Sequence, residues 1–292
     1  TLTALEFIFL LFGKMPVFEA LNVSFATAGT GGFSIKATGI IEYSSYSQWV
    51  IATFMILFGV NFNVYFLMAT KKIRSALKSS ELKAYFFIIL TAFVIILVNV
   101  FGTYQTIEET LRHSIFQVSS ILTTTGFSST DFNTWNSMAK STLLILMLIG
   151  GSAGSTAGGL KISRVMLLLK KISVELRRIL NPNRVTTIRF EGKKIDDATA
   201  NGTTSYFSLY IILIIVICFI LSIDGLNLET NFSATISCLN NIGPGFDMVG
   251  PLSNYSCYSP LSKIVLMFAM LLGRLEIYPL LLALSPTTWL KK

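Results

Sequence analysis

Long apolar runs follow one another along this chain, and short polar stretches carrying glycine interrupt them. Trp49–Thr70, Ala84–Gly102, Tyr206–Ile223 and Leu261–Leu284 each approach the ~20 residues that cross a bilayer as a helix. Shorter apolar or amphipathic segments lie between them. Val17–Ala26, the segment opened by Glu108 or Glu109 and ending at Leu122, and the one opened by Glu229 are too short to cross. Each stops at a related sequence: Thr27-Ala28-Gly29-Thr30-Gly31-Gly32-Phe33-Ser34, Leu122-Thr123-Thr124-Thr125-Gly126-Phe127-Ser128, and Asn240-Asn241-Ile242-Gly243-Pro244-Gly245-Phe246. One such stretch alone reads as a Gly-rich turn between helices. Three in the same context read as an internal repeat.

In chain order, Thr1–Gly13 reads as the outer end of a spanning helix whose beginning is absent. Pro16 is placed to open the next helix, and Glu19 sits in its first turn, where a carboxylate complements the helix dipole. A half-helix that enters the membrane and returns as extended chain is re-entrant, which is tolerated only inside protein or along a watery path. Trp49 is placed as an interfacial anchor for its span. Asn61 and Asn63 within that span could hold neighbouring helices together, the favoured reading, or face a pore. Thr142–Ile149 starts back across but stops at Gly150–Gly159, which has five glycines in ten residues. Each glycine costs up to ~1 kcal/mol relative to alanine in a helix, so the helix breaks there. A helical pattern resumes over Leu160–Leu180. Residues 181–201 form the most polar stretch and read as a linker. The expected divisions are 1–78, 79–180, the linker 181–201, and 202–292.

Composition agrees with a membrane protein: 52% of residues are hydrophobic and 13% are charged. The net charge of +8 is concentrated at Lys71, Lys72, Arg74 and Lys78, along Leu160–Leu180, and at Lys291 and Lys292. These clusters fall on one side of the expected topology, the cytoplasmic side by the positive-inside rule, and do not read as a nucleic-acid surface. Lys140 is the cation expected on the outer side of the middle unit. Cys218, Cys238 and Cys257 lack metal-ligand spacing, and a Cys238–Cys257 bridge is disfavoured. His113 has no partner cluster and reads as structural or solvated. The Gly150–Gly159 run lacks the Gly-Lys-Ser/Thr ending and the preceding strand of a phosphate loop.

The unit that emerges is helix, short helix, turn, helix. An acidic residue starts each short helix, so the C-terminus carries its partial negative charge inward. Carbonyl oxygens and hydroxyls beside a permissive glycine suit a dehydrated cation. Arg274 and Glu276 are the ionisable residues expected deep in the last span. Residues two apart on a helix do not face each other, so separate partners are expected. The guanidinium fork of Arg274 suits several loop carbonyls at once, which predicts that Arg274 holds the Gly150–Gly159 loop in the ion path.

These motifs resemble the bacterial TrkH/TrkG/KtrB potassium-uptake family. The resemblance rests on Thr30–Ser34, Thr123–Phe127, Asn240–Gly245, the Gly150–Gly159 run and Gly273-Arg274-Leu275-Glu276, in that family's order. It implies an all-α membrane protein with helix–pore-loop–helix repeats and re-entrant pore helices around a pseudo-fourfold central pore. The chain corresponds to repeats two to four, and the first repeat is missing. The implied ion-binding positions are Thr30, Gly31 and Gly32; Thr124, Thr125 and Gly126; and Asn241, Ile242 and Gly243. One filter glycine per repeat falls at Gly32, Gly126 and Gly243, with the register open by one at Gly31. The implied gate is Gly150, Gly151, Ser152, Ala153, Gly154, Ser155 and Thr156, with Arg274. Potassium is the implied cargo and no cofactor is expected. The resemblance further implies a homodimer in the bacterial inner membrane, in contact with lipid. It also implies a cytoplasmic nucleotide-binding regulatory subunit of the TrkA/KtrA type.

A sodium- or proton-coupled symporter with broken helices and a midplane cation site remains the alternative. An enzyme is disfavoured, since no nucleophile–base pair, metal-ligand cluster or cofactor motif is present.

Overall fold

The computed structural model describes residues 1–36, 38–181, 187–275 and 277–289; Glu276, Lys291 and Lys292 lie outside them. The fold is built from helices. α1 (Leu2–Phe12) turns at Lys14-Met15-Pro16 into α2 (Val17–Ala28), with Pro16 at the N-cap. There follow α3 (Ser45–Phe58), α4 (Phe62–Ala69) and α5 (Ile73–Lys78). The middle unit comprises α6 (Ser80–Val100), α7 (Ile107–Leu122) and α8 (Ser137–Ile149), after which α9 spans Ile162–Leu180. A small antiparallel pair, β1 (Arg189–Phe190) and β2 (Lys193–Lys194), precedes α10 (Asp197–Leu221). The chain continues through α11 (Leu228–Leu239), α12 (Pro260–Arg274), α13 (Ile277–Leu284) and α14 (Pro286–Trp289).

The short helices α2, α7 and α11 are set by their starts. Thr106 and Glu109 close a capping box at α7, with the Thr106 hydroxyl accepting from Glu109 N–H and the Glu109 carboxylate accepting from Thr106 N–H. Asn227 caps α11 by accepting from Thr230 N–H. Each has an acid in its first turn: Glu19, Glu108 and Glu109, and Glu229. Lys140 on α8 pairs with Glu229 at 3.1 Å.

α7 is enclosed over most of its length. Phe116, Val118, Ile121 and Leu122 are fully buried, and α3, α6 and α8 pack around it. One apolar cluster joins Tyr85, Val118, Leu122, Leu143, Leu239 and Phe246 across the second and third units. A second joins Leu10, Val23, Ile51, Met55, Phe116 and Phe127 across the first and second. The opposite faces of α6 and α10 expose large apolar side chains, including Phe87, Val98, Ile215 and Phe219. A helix apolar on its outer face belongs against lipid.

Among the described residues, α6 and the helix Asp197–Asp224 are long and apolar enough to cross a bilayer as single helices. The run Trp49–Thr70 does not form the straight span its hydropathy predicts. It divides into α3 and α4, whose axes differ by 87°. The break lies at Gly59-Val60-Asn61, where the Asn61 side chain accepts from Asn63 N–H at 2.9 Å and starts a new helix. Asn61 also donates to Glu81 Oε2 at 3.2 Å, so it does tie two helices together. Asn63 is exposed. The final run is likewise divided, α12 ending at Arg274 and α13 beginning at Ile277. The polar stretch 181–201 is shorter as a linker than its composition predicts, because α10 already begins at Asp197 and the strand pair fills part of it. The described cysteines are all free thiols. His113 is structural: Nδ1 lies 2.9 Å from Ser129 Oγ, and its ring packs 4.9 Å from that of Tyr104.

Candidate functional site

The three glycine-bearing turns share one backbone. Each short helix ends two residues before a non-glycine residue in the left-handed region: Thr30 (φ 48°), Thr124 (φ 55°) and Asn241 (φ 56°). The N–H groups of these residues donate to Thr27, Ile121 and Cys238 carbonyls at 3.0, 3.2 and 3.1 Å. The next N–H groups, of Gly31, Thr125 and Ile242, reach back to Ala26, Ser120 and Ser237 carbonyls at 2.7, 2.9 and 2.9 Å. This paired pattern is a Schellman closure, which satisfies the last carbonyls of a helix. Glycine usually takes the left-handed position because a side chain is strained there, yet here it is filled by threonine or asparagine.

The residue after the closure is also left-handed, and in each case it is glycine: Gly32 (φ 63°), Gly126 (φ 85°) and Gly243 (φ 109°). In backbone conformation Gly31 therefore corresponds to Thr125 and Ile242, and Gly32 to the other two glycines. The turns also interlock. A Cβ added to Gly32 would overlap the Thr125 carbonyl oxygen, and one added to Gly126 would overlap the Ile242 carbonyl oxygen. Gly243 has open space in the same direction. A cavity of about 870 Å³ lies there, lined in part by Gly31, Gly243, Leu266, Met270 and Arg274. Successive turns thus meet glycine to carbonyl, in one rotational sense, with an open place between the last and the first.

The left-handed residues reach from the turns to other elements. Thr30 Oγ1 donates to the Thr156 carbonyl at 2.8 Å. Thr124 Oγ1 accepts from Gly158 N–H at 2.6 Å. Asn241 Nδ2 donates to the Met270 carbonyl on α12 at 3.0 Å. Two of these partners belong to the Gly150–Gly159 loop.

That loop is a closed excursion from a helix line. Lys161 N–H donates to Ile149 O at 2.9 Å and Ile162 N–H to Gly151 O at 3.0 Å, so the chain resumes almost where it left. A Cβ on Gly150 would sit 2.5 Å from the Gly158 carbonyl oxygen, which explains a glycine at the pinch point. The first half of the loop is bound to the α3–α4 break: Ser152 N–H donates to Gly59 O at 3.2 Å, and Phe62 N–H donates to Gly154 O at 3.0 Å. The second half is held by Thr30 and Thr124 and by Arg274, whose Nη1 donates to Thr156 O at 3.2 Å and whose Nη2 donates to Gly29 O at 3.3 Å. The guanidinium therefore joins the loop to the C-terminus of α2, as its fork geometry allows. Arg274 is exposed to the cavity rather than enclosed by the last helix.

A family model described as TrkH, a cation transport protein, matches residues 11–290. The chain belongs to the TrkH family. It is 32% identical over 284 residues to the Trk system potassium uptake protein TrkH of Salmonella typhimurium, covering 96% of this chain and 58% of that protein. It is 30% identical over 282 residues to Trk system potassium uptake protein TrkG of Escherichia coli, covering 94% and 57%. The crystal structure of the potassium transporter TrkH from Vibrio parahaemolyticus superposes with a TM-score of 0.91 at 31% identity, over 99% of this chain and 63% of that one. The chain thus spans a little over half the length of the curated relatives it matches. The family that matches is described as a cation transport protein, not as an enzyme.

Within this TrkH-family chain, sequence reasoning missed three supports of the site. Ser120 Oγ donates to Phe127 O at 2.6 Å, and at the equivalent place Ser237 Oγ donates to Pro244 O at 2.9 Å. Both brace the exit of a turn; the first unit has Ala26 at this place and lacks the brace. Their shared position two residues before the helix end is a signal that comparing the three turns could have raised. The third is Glu81, which is buried, with Oε1 accepting from Ala153 N–H at 2.7 Å. On the far side of the turns, Asp247 accepts from Asn227 Nδ2 and Thr230 Oγ1 at 2.6 and 2.8 Å. Those two hydrogen bonds hold its carboxyl below the usual carboxylate range.

Proposed function

We propose that the three interlocked turns are three quarters of a potassium filter in a channel-like uptake transporter. In this reading Thr30-Gly31-Gly32, Thr124-Thr125-Gly126 and Asn241-Ile242-Gly243 replace the hydration shell of K+ with carbonyl oxygens. The C-termini of α2, α7 and α11 add their partial negative charge beneath. A fourth turn of the same kind, seated between Gly243 and Gly31, closes the ring. The observation that carries this reading is the glycine-to-carbonyl contact repeated from Gly32 to Thr125 and from Gly126 to Ile242. It is supported by the names of the relatives, which are potassium uptake proteins.

The Gly150–Gly159 loop, with Arg274, is the gate. Its hydrogen bonds to the left-handed residues of two turns and to Arg274 support this reading. The protein works as a homodimer in the bacterial inner membrane, under a nucleotide-binding cytoplasmic subunit that reaches the loop through α9.

The test is bilayer recording from the full-length protein in potassium against sodium. The expected result is a potassium-selective current that persists without a sodium or proton gradient. Flux that requires either gradient would overturn the channel-like reading in favour of a coupled symporter.

A further inference from the structure

The gate reading names Arg274 as the charged latch of the loop. The geometry points to a second, on the opposite side: Glu81 positions the loop, and the β1–β2 hairpin controls Glu81 through Glu191. The inference rests on the gate reading for its functional consequence, but its contacts stand apart from the filter.

Glu81 is 5% exposed and lies in the first turn of α6. Its two carboxylate oxygens are used separately. Oε1 accepts from Ala153 N–H at 2.7 Å, and Oε2 accepts from Asn61 Nδ2 at 3.2 Å. One side chain therefore clamps the loop to the α3–α4 break, beside the backbone bonds that join the same two segments. A carboxylate accepting from a backbone amide makes a strong charge-assisted bond, and losing it leaves that amide without a partner.

The backbone of Glu81 is held from the hairpin. Glu191 Oε1 accepts from Glu81 N–H at 3.0 Å and from Ser79 Oγ at 3.1 Å. A helix start offers unsatisfied N–H groups and a partial positive charge, and Glu191 meets both. Glu191 sits at the hairpin tip in the left-handed region (φ 48°), followed by Gly192 (φ 75°), the conformation of a tight hairpin turn. The hairpin is docked on α9 at its other side: Lys170 Nζ donates to Arg189 O at 2.8 Å and lies 5.4 Å from the Phe190 ring centre. The hairpin thus straps α9, the helix leaving the loop, to the N-terminus of α6, which carries the residue holding the loop. Pulling α9 away from α6 strains Glu191, then Glu81, then Ala153. A force on the cytoplasmic hairpin reaches the gate by this second route without touching the filter.

The test compares Glu81→Gln, Glu81→Ala, Glu191→Gln, Glu191→Ala and Lys170→Met in the full-length protein. It reads hydrogen exchange of the peptide covering 150–159 and the initial rate of rubidium uptake. Glu191→Ala should raise exchange of that peptide about tenfold, as loss of a charge-assisted bond predicts. It should also raise the maximal uptake rate several-fold at unchanged half-saturation. Glu191→Gln, which keeps an acceptor oxygen, should restore most of both. Lys170→Met should act in the same direction, and Glu81→Ala combined with Glu191→Ala should do no more than Glu81→Ala alone. If Glu81→Ala misfolds, the loop exchange of Glu191→Ala and Lys170→Met decides the test alone. Unchanged loop exchange in Glu191→Ala and Lys170→Met would overturn the strap. Raised exchange with unchanged uptake would leave the strap standing and sink the gate reading instead.

Discussion

Gly126 lies against the carbonyl of Ile242 so closely that a single added carbon would overlap the oxygen. The two residues come from different units, so the contact is a joint between turns and not part of either turn's own closure. It also lies in the left-handed region, where any side chain is strained. Gly126→Ser is therefore expected to push the Ile242 carbonyl out of the ring. Potassium preference over sodium should fall at least about tenfold, on the order of 1.4 kcal/mol. Competition between rubidium and sodium uptake in cells lacking other potassium systems measures it, and an unchanged ratio would remove the filter role from this glycine.

Arg274 and the loop give the second prediction. Arg274→Ala removes the donors to both Thr156 O and Gly29 O. On the gate reading, shortening the loop between Gly151 and Gly158 removes the obstruction itself. Both changes should raise potassium flux several-fold in the full-length protein with selectivity intact. Wild-type flux in two well-folded variants would make the loop a passive joint.

The serine braces predict an effect on stability. Ser120 and Ser237 are fully buried, and each donates to the carbonyl one residue past a turn glycine. Ser120→Ala or Ser237→Ala leaves a carbonyl without its partner and should cost about 1 kcal/mol. That corresponds to roughly 2–4 °C in the melting midpoint of the purified protein. Ala26 already stands at the equivalent place, so Ala26→Ser should not show the reverse gain unless its turn exit can reach the hydroxyl.

Asp247 gives a pH dependence with a definite sign. Its carboxyl is held below its ordinary value by hydrogen bonds from Asn227 and Thr230. Its contribution to stability is present above the unfolded value of about 4 and is lost as pH falls through the lower folded value. The melting midpoint should therefore drop below about pH 4, and Asp247→Asn should flatten that part of the profile. An identical acid limb in the variant would assign the loss to other carboxylates.

Much of this arrangement was legible in the residues. The short helices ended where their glycine turns were placed, and Gly32, Gly126 and Gly243 proved equivalent in backbone. The left-handed Thr30, Thr124 and Asn241 were not foreseen in that role, because local propensity assigns such positions to glycine and only contacts beyond the turn select threonine. The break at Gly59-Val60-Asn61 was hidden because apolar residues continue on both sides, and hydropathy cannot distinguish a bent helix from a straight one. Glu81 was missed for a related reason. It stands between Lys78 and Lys83 and reads as a solvated surface charge, while its burial comes from Ala153 and Asn61, far away in sequence.

Thr124 belongs to the second turn by its backbone and is joined to the loop by its hydroxyl, and Thr30 repeats the arrangement in the first turn. Under the proposed function, an ion seated at the turns and a regulator acting on the loop would draw on the same two side chains. Thermodynamic reciprocity then applies: whatever factor the regulator imposes on ion affinity, the ion imposes on the regulator's. Under the proposed function, the protein would sense external potassium from the cytoplasmic side, and the affinity of its regulator would be a gauge of how full the pore is.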